Sequence, residues 1–179
     1  MKRINEYLTD SKISCEWDLI CERRHQTIEE GKDISFLYVT SPCIIRNLRD
    51  ERPQTILDVG CGTGYLTQKL SYLVEYCDGI DISSKSIEIA KSTYGESNLN
   101  FYCCNIKDFR SKKLYDCCVS NMVMMTDPEF DHSIDAIFKL LKANGSLMIM
   151  ITHPCFWPKY WKYESEPWFD YNSEIFIAV

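Results

Sequence analysis

The sequence predicts an α/β chain built on a doubly wound, mostly parallel sheet with helices on both faces, in three α/β/α layers. Two observations carry this expectation. The stretch Ile56-Leu57-Asp58-Val59-Gly60-Cys61-Gly62-Thr63-Gly64 runs an apolar strand into a glycine-rich turn and then into a helix beginning at Tyr65. Beyond it, short apolar runs alternate with helical segments, and apolar strands separated by helices imply a parallel sheet buried on both faces.

Taken in order, residues 1–54 read as helical. Trp17, Ile20, Cys21 and Ile28 fall on one helical face and Gly31 stops the segment. Ser41-Pro42 suits the start of a second helix, with Ile44, Ile45 and Leu48 apolar. Strands are expected at 55–59, 77–82, 99–104, 115–121 and 146–152. Helices are expected at 64–74, 84–93 and 131–142, the last with Ile134, Ile137, Phe138 and Leu141 in one stripe. The Asn144-Gly145 turn leads into the fifth strand.

A strand–glycine turn–helix unit brings backbone N–H groups and a helix N-terminus against a ligand. Glycines let the chain turn tightly and keep a Cβ out of the ligand's way. The spacing Gly60-x-Gly62-x-Gly64 differs from the dinucleotide pattern, which needs glycine where this chain has Tyr65. Cys77-Asp78-Gly79-Ile80-Asp81-Ile82-Ser83 reads as a second strand ending in an acid, Asp81, seventeen residues after Gly64. A carboxylate there can accept from both hydroxyls of a ribose diol. As an alternative, Asp81 merely opens the following helix, a job Ser83 or Ser84 can also do.

Asp58-x-Gly60-x-Gly62-x-Gly64 resembles the first motif of class I S-adenosylmethionine (SAM)-dependent methyltransferases, which are Rossmann-like. The resemblance runs in the family's order over roughly 55–155. It implies that Asp81 binds the SAM ribose. Asp58, Gly60 and Gly62, with Cys61, lie under the methionine moiety, and Gly64 belongs to the loop as close helix–strand packing. Asp58 would set a negative charge near the ligand's cationic groups, or brace the loop by accepting its N–H groups. Asn105 stands where the family has an Asp that accepts from the adenine amine, beside Ile106, with Ile82 following the ribose acid. Asn121 ends the fourth strand beneath methionine, or forms a turn. Leu140 to Leu147 resembles the family's turn before the fifth strand, with Ala143 and Asn144 replacing Pro and Gly.

His153, at the end of the fifth strand, is placed to deprotonate or orient an acceptor; a structural histidine at a Pro-bounded turn is the competing reading. His25 and His132 receive no role. Methyl transfer from a sulfonium rests mainly on in-line alignment, so the lack of an evident catalytic dyad is no obstacle. The fourth strand ends Ser120-Asn121-Met122-Val123, without the prolines and aromatic of amino-methylating nucleic-acid enzymes.

The chain has 179 residues, a formal charge of −6 and a pI near 5.1, which disfavours nucleic acid as partner. Arg23-Arg24 and Lys112-Lys113 read as solvated faces. No secretory signal or membrane span is visible. Ten cysteines fall mostly in apolar runs without C-x-x-C spacing, which reads as reduced, cytoplasmic and metal-free.

From Phe156 to Val179 the composition changes, with nine aromatic residues. They could wall a substrate pocket, although packing against the N-terminal helices is the plainer reading, and the segment resembles a small-molecule-type lid. The family's sheet has seven strands, so the resemblance implies that the last strands are missing. The open edge near 147–151 should then be covered by residues 174–179 or by the same segment of a second copy, which would make a homodimer.

The expected organisation is one structural domain: an N-terminal helical segment (1–54), a SAM-binding core (55–155) and an aromatic tail (156–179). The expected activity is methyl transfer from SAM to O, N or C of a small molecule, leaving S-adenosylhomocysteine (SAH). The rivals are a fragment that binds SAM or SAH without turnover, and a nicotinamide oxidoreductase, which the glycine spacing disfavours.

Overall fold

A computed structural model describes residues 2–3, 9–153, 156–160, 162–170 and 177–178. Strands β1 (Lys2–Arg3) and β7 (Ile177–Ala178) pair antiparallel with each other. The main sheet holds β2 (Thr55–Val59), β3 (Tyr76–Asp81), β4 (Leu99–Cys103), β5 (Tyr115–Asn121) and β6 (Leu141–Met150) in the order β4-β3-β2-β5-β6, all parallel. Strand order reverses at β2, so a crevice opens between the carboxyl ends of β2 and β5, where ligands bind in doubly wound sheets.

Alternation along the strands separates two cores. Ile56, Cys77, Leu99, Phe101, Cys117 and Val119 face α2 (Ser41–Glu51), α3 (Tyr65–Ser71) and α4 (Ser84–Thr93), through Ile44, Leu48, Leu66, Leu70, Ile87 and Ala90. Leu57, Val59, Ile80, Tyr115 and Cys118 face Ile106, Phe109, Met124, the last from the short 3-10 turn Met124–Thr126, and Ile137 of α5 (Phe130–Phe138). Cys117 and Cys118 thus serve opposite cores as small apolar residues, and every described cysteine is free.

Helix α1 (Asp10–Glu29) is capped by Thr9, whose hydroxyl accepts from Lys12 N–H. It buries Cys21 and Ile28 but leaves Ile20 exposed, so its apolar face is narrower than the sequence suggests. A π-helical stretch, Phe36–Thr40, leads directly into α2, whose first turn carries Pro42.

The expected helix over 131–142 ends early, at Phe138. Leu140 C=O accepts from Tyr115 N–H, and Leu141 already pairs with Tyr115 as the first residue of β6. Phe138 is exposed and Leu141 belongs to the sheet, so the apolar stripe was partly a strand start. Pairing then jumps from Tyr115↔Leu141 to Cys117↔Ser146. The extra residues loop out beside an ion pair between Lys142 and Asp116 (2.9 Å), with Asn144 left-handed.

The tail differs from expectation as well. Ile177–Ala178 pair with β1 rather than with β6, so these residues do not cover the sheet edge; residues 174–176 and 179 lie outside the described residues. Tyr163 is buried against Trp168 and Phe169, ring centroids 5.5 and 5.3 Å away, a cluster within the tail itself. Trp161, Tyr171 and Phe176 also lie outside the described residues. Among the described residues no helix is long and apolar enough to cross a membrane, and no group of side chains could hold a metal ion.

Candidate functional site

The end of β3 holds the glycine loop in place. Gly60 and Cys61 N–H both donate to Ile80 C=O, at 2.8 and 2.9 Å. Gly62 N–H donates to Asp81 Oδ2 at 2.8 Å, and Ser83 N–H donates to Asp81 Oδ1 at 2.8 Å. One carboxylate therefore joins the loop after β2 to the turn that starts α4.

The loop borders a cavity of about 780 Å³ at the carboxyl ends of the strands. It brings together Asp58, Gly60, Cys61, Gly62, Asp81, Ile82, Asn105, Ile106, Asn121 and His153 from five separate stretches of chain. Gly64 is the exception. A Cβ there would lie 2.8 Å from Phe101 and 3.0 Å from Ala90, so it is glycine for packing of α3 against α4 and β4 rather than for ligand contact.

Gly64 thus packs as expected, whereas Gly60 is explained differently than expected. Its φ is +75°, and a Cβ would sit 2.2 Å from Val123, on the neighbouring wall, rather than in the open cavity. Gly62, with φ +54°, has nothing within 4 Å of a built Cβ, so a ligand can approach its backbone closely.

Asp58 does not brace the loop N–H groups. Its Oδ2 accepts from the Thr67 hydroxyl of α3 at 2.7 Å. Burial pushes its carboxyl up to about 7, against the pull of that hydrogen bond and with help from Asp81. Burial likewise raises Asp81, while the N–H groups of Ser83 and Gly62 hold it back. A site with one buried and one half-buried carboxyl in this condition favours a cation beside them.

Asn105 turns its own backbone: its Oδ1 accepts from Lys107 N–H at 3.0 Å, leaving one lone pair on that oxygen. Asn121 Nδ2 donates to Thr40 Oγ1 at 3.3 Å, and its buried Oδ1 has no hydrogen-bond partner among the described residues. Met122 follows with φ +63°, a conformation uncommon outside glycine. His153 is exposed at the cavity rim, its ring 5.3 Å from Phe156.

The opposite wall comes from α1 and the stretch after it, through Trp17, Cys21, Arg24, Ile28, Asp33 and Phe36. Sequence reasoning left this wall out. Asp18 accepts from Ser83 Oγ (2.6 Å), Ser84 Oγ (3.2 Å) and Lys85 N–H (3.1 Å), docking α1 on the start of α4. Ser14 Oγ donates to Ile82 C=O at 2.9 Å, and His25 Nδ1 lies 3.2 Å from Thr63 Oγ1 in the loop. The signal was polar residues at 14, 18 and 25, spaced by one and then two turns along one helix face. Arg24, expected on a solvated face, lines the cavity.

Comparison with known proteins agrees with this geometry. A family described as a methyltransferase domain matches residues 50–166, well over half of the chain. A malonyl-[acyl-carrier protein] O-methyltransferase of Anoxybacillus flavithermus is 39% identical over 100 residues, covering 54% of this chain and 38% of that protein. The enzyme of the same name from Priestia megaterium is 35% identical over 95 residues, covering 52% and 35%. The chain thus aligns with little more than a third of these relatives' length. Among solved structures, a DhpI–SAM–HEP complex superposes with a TM-score of 0.65 at 18% identity, over 86% of this chain and 70% of that one.

The raised Asp58 carboxyl gives a testable sign. Its native pKa lies above the ordinary 3.8, so its protonated form favours the native state. That contribution is complete below about pH 4 and is lost as pH rises through about 7. Denaturant unfolding of the ligand-free chain is expected to show stability falling from about pH 5 to about pH 8, and Asp58→Asn should flatten the slope. An unchanged slope in Asp58→Asn would assign the titration elsewhere.

Proposed function

The chain belongs to the methyltransferase-domain family and is a class I SAM-dependent methyltransferase by family and fold; from that premise we propose that it transfers the methyl group of SAM to O, N or C of a small-molecule acceptor. One observation carries the reading most directly. The crevice at the strand-order reversal is lined by buried Asp58, by half-buried Asp81 and by a loop whose Gly62 backbone stands open to a ligand.

These residues fit the cofactor. Asp81 accepts from Gly62 on one oxygen and from Ser83 on the other, and each carboxylate oxygen can accept a second bond, as a ribose diol requires. Asp58 lies where a cation beside it returns its carboxyl to the charged form. Ile82, Asn105 and Ile106 would take the adenine end, and Asn121 with Gly60 and Cys61 the methionine end. Bound SAM supplies an electrophilic methyl group on a sulfonium. The protein's part is to hold an acceptor in line with it and to exclude water, which is where most of the acceleration lies. His153, at the rim, would receive the acceptor's proton as the new bond to the methyl carbon forms.

The relatives' names favour O-methylation among the three outcomes, and the acidic chain supports a small molecule over nucleic acid. Because the chain aligns with only part of those relatives, retention of SAM or SAH without turnover is the alternative. Among the described residues β6 is the last strand of the sheet, so a homodimer through that edge belongs to the same proposal.

Calorimetric titration is expected to show binding of SAM and SAH and none of NAD. Asp81→Ala should weaken SAM by about 1.5–3 kcal/mol, the range for hydrogen bonds to charged groups. Unchanged affinity would remove the ribose assignment. His153→Ala should lower turnover by roughly 10²-fold with SAM affinity intact; full specific activity in a less stable protein would make it structural. Light scattering on the 179-residue chain is expected to give the mass of two copies, and a monomer at every concentration would refute the edge pairing.

A further inference from the structure

Two strand ends build one side of the cavity. Met122, the residue after β5, donates its N–H at 2.7 Å to the C=O of Met150, the last residue of β6. Thr152 Oγ1 donates to Met125 Sδ at 3.2 Å, so the turn after β5 and the chain after β6 are tied to each other. Val123 lies against Gly60, which sets this turn beside the glycine loop. The lining here comes from Met122, Met125, Ile151 and Phe156. Ile151 is 52% exposed and Phe156 69%. Large apolar side chains left facing water at one cavity mark a surface that an apolar ligand covers.

The charges on this side argue against an anionic acceptor. Among the described residues lining the cavity, Arg24 is the one lysine or arginine. Its guanidinium lies 5.7 Å from the centre of the Phe36 ring, and that ring lies 5.7 Å from the ring of Tyr65, the first residue of α3. Arg24 therefore stands where the glycine loop enters α3, away from the ends of β5 and β6. Asp127 follows the turn after β5 and lines the cavity, with its Oδ1 accepting from Glu129 N–H at 2.8 Å. A carboxylate brought here would lose water beside an acid, with no lysine or arginine to pair with, which is costly. A neutral acceptor avoids that cost. Thioethers fill irregular space and make favourable contacts with ring edges. The Phe156 ring, 5.3 Å from that of His153, adds an aromatic face.

We propose that the methyl acceptor is a neutral, ring-bearing hydroxyl compound of the phenol class, held by Met122, Met125, Ile151 and Phe156 with its hydroxyl toward His153. The proposal rests on the methyl-transfer reading of the same cavity and narrows its acceptor. As a lone pair of the hydroxyl oxygen bonds to the methyl carbon, the sulfur–carbon pair returns to sulfur and the hydroxyl proton passes to His153. An aryl methyl ether and SAH are the products.

Calorimetry on the SAH-saturated full chain tests this with three probes that share one ring system: neutral naphthol, anionic naphthoate and cationic naphthylmethylamine. Naphthol is expected to bind, and each charged probe to bind roughly 10-fold or more weakly, as desolvating an unpaired charge requires. Phe156→Ala, a change at an exposed side chain, and Met125→Ala should each weaken naphthol by about 2- to 10-fold, the range for ring–ring and thioether–ring contacts. SAH affinity should stay unchanged in both. Met125→Leu keeps the apolar volume and should bind naphthol nearly as the parent does. Preference for naphthoate or naphthylmethylamine overturns the acceptor class. So does naphthol binding that neither alanine variant alters, or a SAH-loaded chain that takes none of the three probes. A chain that binds no SAH refutes the methyl-transfer reading itself, and the acceptor class falls with it.

Discussion

The site depends on one half-buried carboxylate. Asp81 accepts from Gly62 on one oxygen and from Ser83 on the other, so the loop after β2 and the turn into α4 are fixed to the same two atoms. The parallel register makes this possible: Val59 pairs with Ile80, which sets the end of β2 one residue from Asp81 and lets Ile80 C=O take the N–H groups of Gly60 and Cys61. Taking a carboxylate even partly out of water is costly, and its backbone donors, Ser83 and Gly62 foremost, offset only part of that cost, so its pKa is pushed up. The remaining imbalance is what a ligand's hydroxyls can relieve.

Around that point the cavity has two unlike walls. The sheet side is rigid and apolar beneath, with Asp58 tied to Thr67 and Gly64 pressed between Phe101 and Ala90. The α1 side is attached through polar contacts: Asp18 at the start of α4, Ser14 at Ile82 and His25 at Thr63. Near its first turn, Asp10 meets Lys107, which also pairs with Glu129 before α5. A helix held by hydrogen bonds and ion pairs, with only Cys21 and Ile28 buried, has less packing energy to oppose local opening than the strands have.

Much of the core was legible in the sequence because its signals are local. β2, β5 and α4 have the expected bounds, since apolar runs between turn residues define strands and Ser83 caps the helix by accepting from Ser86 N–H. Ten of the eleven candidate residues meet in one cavity for the same reason: each sits at a strand end, and parallel topology gathers those ends. What was not legible depends on distant partners. The neighbour that makes Gly60 a glycine is Val123, far along the chain, and the wall that includes Arg24 is built by a helix whose contacts are single polar residues. Leu141 looked helical because strand and helix stripes overlap at a junction, and only its pairing with Tyr115 decides the matter.

The location of the ligand is the central claim, and amide chemical-shift mapping during an SAH titration tests it most directly. The amides of Gly60, Gly62, Asp81, Ser83, Asn105 and Met122 should move together and saturate at one equivalent. A second concavity lies at Arg52, Gln54, Asn144 and Gly145, where β2 starts and β6 loops out, at the opposite end of the sheet; its amides should stay still. Saturable shifts at that end, with the glycine loop unmoved, would contradict the account.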